Sequence, residues 1–280
     1  MFRRMKTLLK VICEISIKLF HTIWWLLNVL IKTDRKNHIQ YIGKRKLLNI
    51  LANGPSLASD IEKISLEDGD FSVVNYFYKS PYFKKVKPSI YVIVDPYFFE
   101  LEDSFQPIIE NVVWPMKLVV PYYALKKYKT LNCISNSYIE VIPIHMFAYR
   151  GFEIFRNWIY MHGLSMPKGQ NVLVPSIFNG INMGYKEIRL YGVDHSWTKT
   201  LCVTDKNQVC AKDTHFYDTN EVKLEPYMKG IGKYYKLHEL LRDFATMFES
   251  YQYLRTYADN MGCKIINKTK GSFIDAFERI

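Results

Sequence analysis

The chain has 280 residues, of which 49% are hydrophobic, 15% aromatic and 23% charged. That composition excludes a disordered chain, and the length suits one large α/β core or a core with an appendage. The net charge of +11 would suggest a nucleic-acid partner if it were spread over the chain, but it is not. Residues 1–46 carry Arg3, Arg4, Lys6, Lys10, Lys18, Lys32, Arg35, Lys36, Lys44, Arg45 and Lys46 against only Glu14 and Asp34. The basicity belongs to an N-terminal arm, the remainder is nearly neutral, and no nucleic-acid partner is expected. Cys13, Cys133, Cys202, Cys210 and Cys263 are odd in number and hold no C-x-x-C pair, which points to a reducing cytosol rather than a disulfide framework.

Between residues 5 and 32 there is neither Gly nor Pro, and the spacing predicts one long helix. On it Lys6, Lys10, Glu14, Lys18, His21, Asn28 and Lys32 fall in a single narrow sector. The rest of the cylinder is apolar and includes Trp24 and Trp25. Such a helix is expected to lie in a membrane interface, drawn to an anionic surface by its basic residues. Two other readings are packing on the protein's own body or a second subunit, and a span carrying Glu14, Lys18 and His21 through the bilayer. A secretory signal is not expected, because Glu14 and Lys18 interrupt the apolar region and no small-residue cleavage site follows. Residues 1–35 are read as the membrane-associating helix and 36–280 as the body.

In the body, short apolar runs alternate with turn signals. Residues 47–52, 71–75 and 90–95 are predicted strands, with a short helix from about Leu57. Residues 112–114, 117–120 and 139–142 are weaker strands, broken by Pro115, Pro121 and Pro143. A helix is predicted at 174–183, with Pro175 in its first turn and Gly184 past its end. A strand at 187–193 follows, then a long helix at 233–260 in which Leu237, Leu240, Leu241, Phe244, Met247, Phe248, Tyr251 and Leu254 keep helical spacing. A strand at 263–267 and a short helix at 272–279 complete the chain. The alternation predicts an α/β fold with a doubly wound, mostly parallel sheet. Residues 197–217 lack periodicity and read as a long loop, a lid reaching to about 230.

The first strand ends in Asn53-Gly54-Pro55-Ser56. Gly54 lets the backbone approach a phosphate, and amides and hydroxyls stand at a helix start; the same residues also make an ordinary turn. Neither a Walker A loop nor a G-x-G-x-x-G fingerprint occurs. Asn75 and Asp95 end the next two strands and should reach the same crevice, although both residue types also stop strands. Gly192, Asp194 and His195 lie at a fourth strand end, and His215 follows in the presumed lid. Either histidine is a candidate general base, with Asp194 able to orient it, or an ordinary loop histidine. His238-Glu239 lacks a second histidine, and Asp68-Gly69-Asp70 precedes a strand instead of ending one. No metal site and no cofactor are expected.

The order L-A-N-G-P-S-L at 51–57, V-V-N-Y-F-Y at 73–78, V-D-P at 94–96 and M-G-Y-K-E-I-R-L-Y-G-V-D at 183–194 resembles the bacterial sialyltransferases of glycosyltransferase family 42. It also resembles the broader MptE-like proteins and the flagellin-modifying motility-associated factors, and residues 262–279 are more like the MptE-like branch. The resemblance covers residues 47–279 and implies a Rossmann-like, GT-A-variant fold. It implies nucleotide contacts from Asn53, Gly54, Pro55, Ser56, Asn75, Asp95, Asn171 and Gly192. Asp95 stands where the sialyltransferases have an asparagine, and Asn171-Val172-Leu173 replaces a T-S-G. Thr214-His215-Phe216 matches the segment holding their catalytic base, whereas His195-Ser196-Trp197 stands where their phosphate-binding tyrosines would be.

The implied activity is an inverting, metal-independent glycosyltransferase. It would pass a CMP-activated acidic sugar, sialic or Kdo-like, to a glycan or lipid-linked acceptor. His215, His195 and Asp194 would be its catalytic residues. The expected place is the cytoplasmic face of the bacterial inner membrane, attached peripherally to an anionic surface, as a monomer or an oligomer. Two alternatives stay open: a pterin pyrophosphokinase using ATP and magnesium at Asp95 and Asp194, and a membrane-attached assembly protein with a degenerate nucleotide fold.

Overall fold

The computed structural model describes residues 2–32, 46–100, 104–127, 135–218, 223–230 and 232–280. Arg35, Lys36, Lys44, Arg45 and Cys133 lie outside them.

The body is built on six strands in chain order, β1 (Leu47–Leu51), β2 (Asp70–Val74), β3 (Ile90–Val92), β4 (Met116–Pro121), β5 (Ile139–Ile144) and β6 (Glu187–Tyr191). Then come the short strands β7 (Cys202–Val203), β8 (Val209–Ala211), β9 (Glu225–Pro226), β10 (Met228–Gly230) and β11 (Lys233–Tyr234), and finally β12 (Lys264–Asn267). Seven of them form one sheet in the order β12-β6-β1-β2-β3-β4-β5, and every pairing in it is parallel. A parallel sheet is covered on both faces, so its strands read as nearly continuous apolar runs. Along residues 90–94 the alternation divides the side chains. Ile90, Val92 and Val94 enter one core, with the helices Leu173–Asn182 and Leu237–Met261. Tyr91 and Ile93 enter the other, with Phe77, Phe98 and Phe105. Pro143 is accommodated because β5 is an edge strand.

The sheet runs outward from β1 through β2 to β5 on one side and through β6 to β12 on the other. The strand order therefore reverses between β1 and β6, and a crevice opens beyond their carboxyl ends.

Four predicted elements differ from the structure. Residues 112–114 are not a strand: Val112 caps the helix Gln106–Asn111, and β4 starts at Met116. Residues 197–217 are not an irregular loop, since β7, β8 and β9 form a three-stranded antiparallel sheet beyond a turn at Trp197–Lys199. The long helix starts at Leu237 instead of residue 233 because Lys233 and Tyr234 pair with β10. Its first turn is closed by Glu239, whose Oε2 accepts the Lys236 N–H at 3.1 Å. Residues 272–279 are irregular, with bends and one bridge at Glu278, and not helical. The Phe273 N–H donates to the Asp194 carbonyl at 2.9 Å and the Asn267 N–H to the Glu278 carbonyl at 2.8 Å. Cross-chain bonds of this kind replace the i−4 ladder.

Only in its second half does the N-terminal helix Phe2–Lys32 turn its polar sector inward. Lys18, His21, Thr22 and Asn28 are half-buried, and Trp25 is buried in the body's core. The rings of Trp25 and Tyr149 meet edge to face at 5.3 Å, and Thr22 Oγ1 lies 3.2 Å from the Tyr149 hydroxyl. The self-packing reading thus holds for the second half of the helix. Opposite this contact, Leu19, Phe20, Ile23, Leu27 and Leu30 are exposed, as is every residue from 5 to 17. Among the described residues no helix is long and apolar enough to cross a membrane.

Candidate active site

The crevice between β1 and β6 is closed at its base by two interlocked turns. The Ala52 N–H donates to the Tyr191 carbonyl and the Gly54 N–H to the Gly192 carbonyl, both at 2.9 Å. Asp194 crosses the gap: its Oδ2 accepts the Ser56 hydroxyl at 2.7 Å. A Cβ on Gly54 would lie 2.1 Å from that carboxylate oxygen and 2.4 Å from the Gly192 carbonyl oxygen. Gly192 has φ +65°, and a Cβ there would meet the Ala52 carbonyl oxygen at 2.7 Å. Both positions therefore need glycine.

Above these turns lies a cavity of about 740 Å³, a volume suited to a nucleotide-sized ligand. Asn53, Gly54, Pro55, Asn75, Asp95, Asn171, Gly192, Asp194, His195 and His215 all line it. The structure thus brings together the residues singled out in the sequence. Ser56 stands behind the wall and acts on it through Asp194.

At β2 and β3 the wall is held by side-chain amides. Asn53 Nδ2 donates to the Val74 carbonyl at 3.2 Å, while its Oδ1 is buried and has no partner among the described residues. Asn75 adopts φ +42°, a conformation asparagine tolerates better than most residues, and its Oδ1 accepts the Val94 N–H at 3.3 Å. Burial pushes the Asp95 carboxyl above its ordinary range, against the lowering effect of the Tyr97 N–H and of Tyr76.

His195 and Asn171 meet in the cavity wall. Asn171 Oδ1 accepts the N–H groups of Leu173 and Val174 at 3.1 and 3.2 Å, capping the helix Leu173–Asn182. This fixes its Nδ2 as a donor toward His195 Nε2 at 2.9 Å and the Tyr251 hydroxyl at 2.7 Å. Both polar atoms of Asn171 are thereby engaged within the wall of the cavity that it lines. The Tyr251 hydroxyl also lies 2.6 Å from His195 Nε2, so that nitrogen accepts and the neutral ring carries its proton on Nδ1. Burial lowers the His195 pKa to about 3. With φ +51° and its ring beside Trp197, His195 positions the turn after β6.

The His195 ring is proton-free in the folded chain and proton-binding near pH 6.5 once unfolded. Its contribution to stability is full above pH 6.5 and is lost as pH falls toward 3. Between pH 7 and pH 5 the chain is expected to lose about 2 kcal/mol more than a His195→Gln variant. Urea unfolding of both proteins at the two pH values measures this; equal losses would refute the burial argument.

His215 sits at the mouth. Its backbone N–H donates to Asp218 Oδ2 at 2.6 Å, its Nδ1 lies 3.6 Å from the same oxygen, and its ring stacks on Tyr217 at 5.2 Å. The next residue ties the segment to the first loop, with the Phe216 N–H donating to the Asn53 carbonyl at 3.0 Å. The Phe216 ring packs on Phe77 at 5.5 Å.

Lys199, Lys212 and Lys229 also line the cavity, and the sequence reading had missed them. Lys199 and Lys212 fall in the aperiodic stretch; Lys229 pairs with Glu239 at 2.7 Å. Their one signal was membership of the segment read as a lid. Among the described residues no group of three or more His, Cys, Asp or Glu side chains is placed to hold a metal ion.

No family model and no curated protein matches the chain. Among solved structures it is similar to a MAf glycosyltransferase from Magnetospirillum magneticum AMB-1, with 13% identity and a TM-score of 0.49 over 93% of this chain. It spans only 38% of that protein's length. It is also similar to an alpha-2,3-sialyltransferase from Campylobacter jejuni in its apo form, with 15% identity and a TM-score of 0.44, over 86% of this chain and 82% of the other.

Proposed function

We propose that the chain is a glycosyltransferase that uses a CMP-activated acidic sugar and works at a membrane surface. The observation that carries this reading is the convergence on one cleft of four parallel strand ends, three lysines and a histidine held beside the first loop. A CMP-linked acidic sugar presents a phosphate and a carboxylate; Lys199 and Lys212 line the cleft among Asp95, Asp194 and Asp213, while Lys229 is paired with Glu239. The acceptor hydroxyl attacks the anomeric carbon from the face opposite the phosphate. The new C–O bond forms as the bond to phosphate breaks, inverting the centre, and CMP leaves with the electron pair. His215 takes the hydroxyl proton. Lysine ammonium groups and loop amides stabilise the charge growing on the phosphate. His195 and Asp194 position the turn after β6 in this scheme. The outward apolar face of the N-terminal helix supports peripheral attachment to an anionic cytoplasmic surface.

The nucleotide is tested by thermal shift with CMP, UMP, GDP and ATP, with and without magnesium. CMP without magnesium, at about 100 times its Kd, is expected to stabilise by roughly 2.7 kcal/mol, or about 5 °C and more. The Asn53→Ala variant should lose most of that shift. A shift produced only by ATP with magnesium would replace this reading with the pyrophosphokinase.

A further inference from the structure

Cys202 and Cys210 face each other across the hairpin of β7 and β8. The two strands are antiparallel, and their register sets Cys202 directly opposite Cys210 and Val203 opposite Val209. The reversal between them is tight. The Asn207 N–H donates to the Thr204 carbonyl at 2.8 Å, and the Thr204 N–H to the Gln208 carbonyl at 2.9 Å. Asn207 takes φ +56°, the left-handed conformation that closes a short hairpin loop. These bonds pin the register, and with it the pairing of the two cysteines.

Residues directly opposite in an antiparallel pair put their side chains on one face, with Cα atoms about 4.5–5.5 Å apart. Disulfides bridge Cα separations of about 4.4–6.8 Å. Both cysteines are free thiols. Cys202 is exposed because β7 is an edge strand, whereas Cys210 is buried in the middle strand β8. Burial, and then the charge of nearby Cys202, push the Cys210 thiol above its ordinary pKa. The exposed Cys202 is therefore the thiol that meets a soluble oxidant first.

We propose that Cys202 and Cys210 form a reversible disulfide by exchange with low-molecular-weight disulfides such as oxidised glutathione, stapling the hairpin that Lys199 and Lys212 flank at the cleft. The Cys202 thiolate attacks one sulfur of the small disulfide, forming a mixed disulfide and releasing one thiolate. Cys210 loses its proton to solvent and attacks the Cys202 sulfur, and the second small thiolate leaves. Two protein thiols are oxidised and the small disulfide is reduced to two thiols. In a reducing compartment the pair rests as thiols, and the bond forms when the surrounding thiol pool turns oxidising. Beyond the staple, the Lys212 N–H donates to Thr200 Oγ1 at 3.0 Å, which carries the pairing on to the two lysines that line the cleft. The bond forms whether or not the cleft takes CMP.

The test treats the full chain with oxidised glutathione at mildly alkaline pH, blocks the remaining thiols and digests with trypsin without reduction. Lys206 lies between the two cysteines, so the peptides 200–206 and 207–212 stay joined only through the proposed bond. Mass spectrometry is expected to find the joined pair, and dithiothreitol to separate it. Hydrogen exchange at residues 209–211 should slow at least about tenfold on oxidation. Cys202→Ser, at an exposed position, should keep the fold and lose both effects. A glutathione adduct that persists on Cys202 with Cys210 still free overturns the proposal. So does a covalent dimer joined through Cys202, or two thiols that stay unreacted. Joined peptides with unchanged exchange overturn the staple.

Discussion

His215→Ala is expected to lower the rate of sugar transfer by at least about 100-fold while leaving CMP affinity unchanged. A sugar hydroxyl is a poor nucleophile at neutral pH, so transfer gains from a group that removes its proton as the bond forms. In the proposed reaction His215 is the group that does so, and its segment is held by backbone hydrogen bonds. Asp218 Oδ2 holds its N–H at 2.6 Å, and the Phe216 N–H fastens the segment to Asn53 at 3.0 Å. Removing the imidazole leaves those main-chain bonds intact, which is why binding and turnover should separate. Single-turnover transfer and CMP titration on the same protein measure the two. His195→Gln should retain a substantially larger share of the transfer rate, because His195 Nε2 is already engaged by Asn171 and Tyr251. Near-normal turnover in His215→Ala would refute the assignment.

Gly54→Ala is expected to destabilise the body by about 2–4 kcal/mol and to abolish the CMP-dependent thermal shift. The added methyl would stand 2.1 Å from Asp194 Oδ2 and 2.4 Å from the Gly192 carbonyl oxygen. The carboxylate can swing away only by breaking its bond to the Ser56 hydroxyl. The carbonyl cannot move without separating the turns after β1 and β6, since it accepts the Gly54 N–H. Both turns form the floor of the cleft, so stability and binding should fall together. Gly230→Ala is the control: a Cβ there meets nothing within 4 Å, and its effect should stay within about 0.5 kcal/mol. Urea unfolding of the two variants compares them directly, and equal stabilities would contradict the interlocked-turn account.

The strands of the main sheet were legible because burial on both faces writes a dense apolar run into each. Residues 47–52, 71–75 and 187–193 correspond to β1, β2 and β6 with small shifts at their ends. The cleft was legible for a topological reason. Parallel strands place all their carboxyl ends on one edge, so Asn53, Asn75, Asp95 and Asp194 could be assigned to a common crevice before any contact was seen. The segments that escaped are those whose hydrogen bonds close across the chain. Residues 272–279 bond to the turns after β6 and β12, and β7, β8 and β9 exist only through pairing with one another. A short segment carries no periodicity strong enough to announce such partners.

Sequence alone determined the α/β alternation, the basic and apolar character of the arm, and the residues at the strand ends. These follow from local composition and period, which each segment carries by itself. Tertiary structure alone decided which way each polar group is spent. The second half of the arm meets Tyr149 through Thr22 and a buried Trp25, leaving Leu19, Phe20, Ile23, Leu27 and Leu30 exposed. His195, a candidate base by position, is buried against Tyr251 and Asn171 and held neutral. His215 stays at the mouth. Burial and hydrogen-bond partners are properties of the assembled chain, and it is these, more than residue type, that set the charge and availability of a side chain.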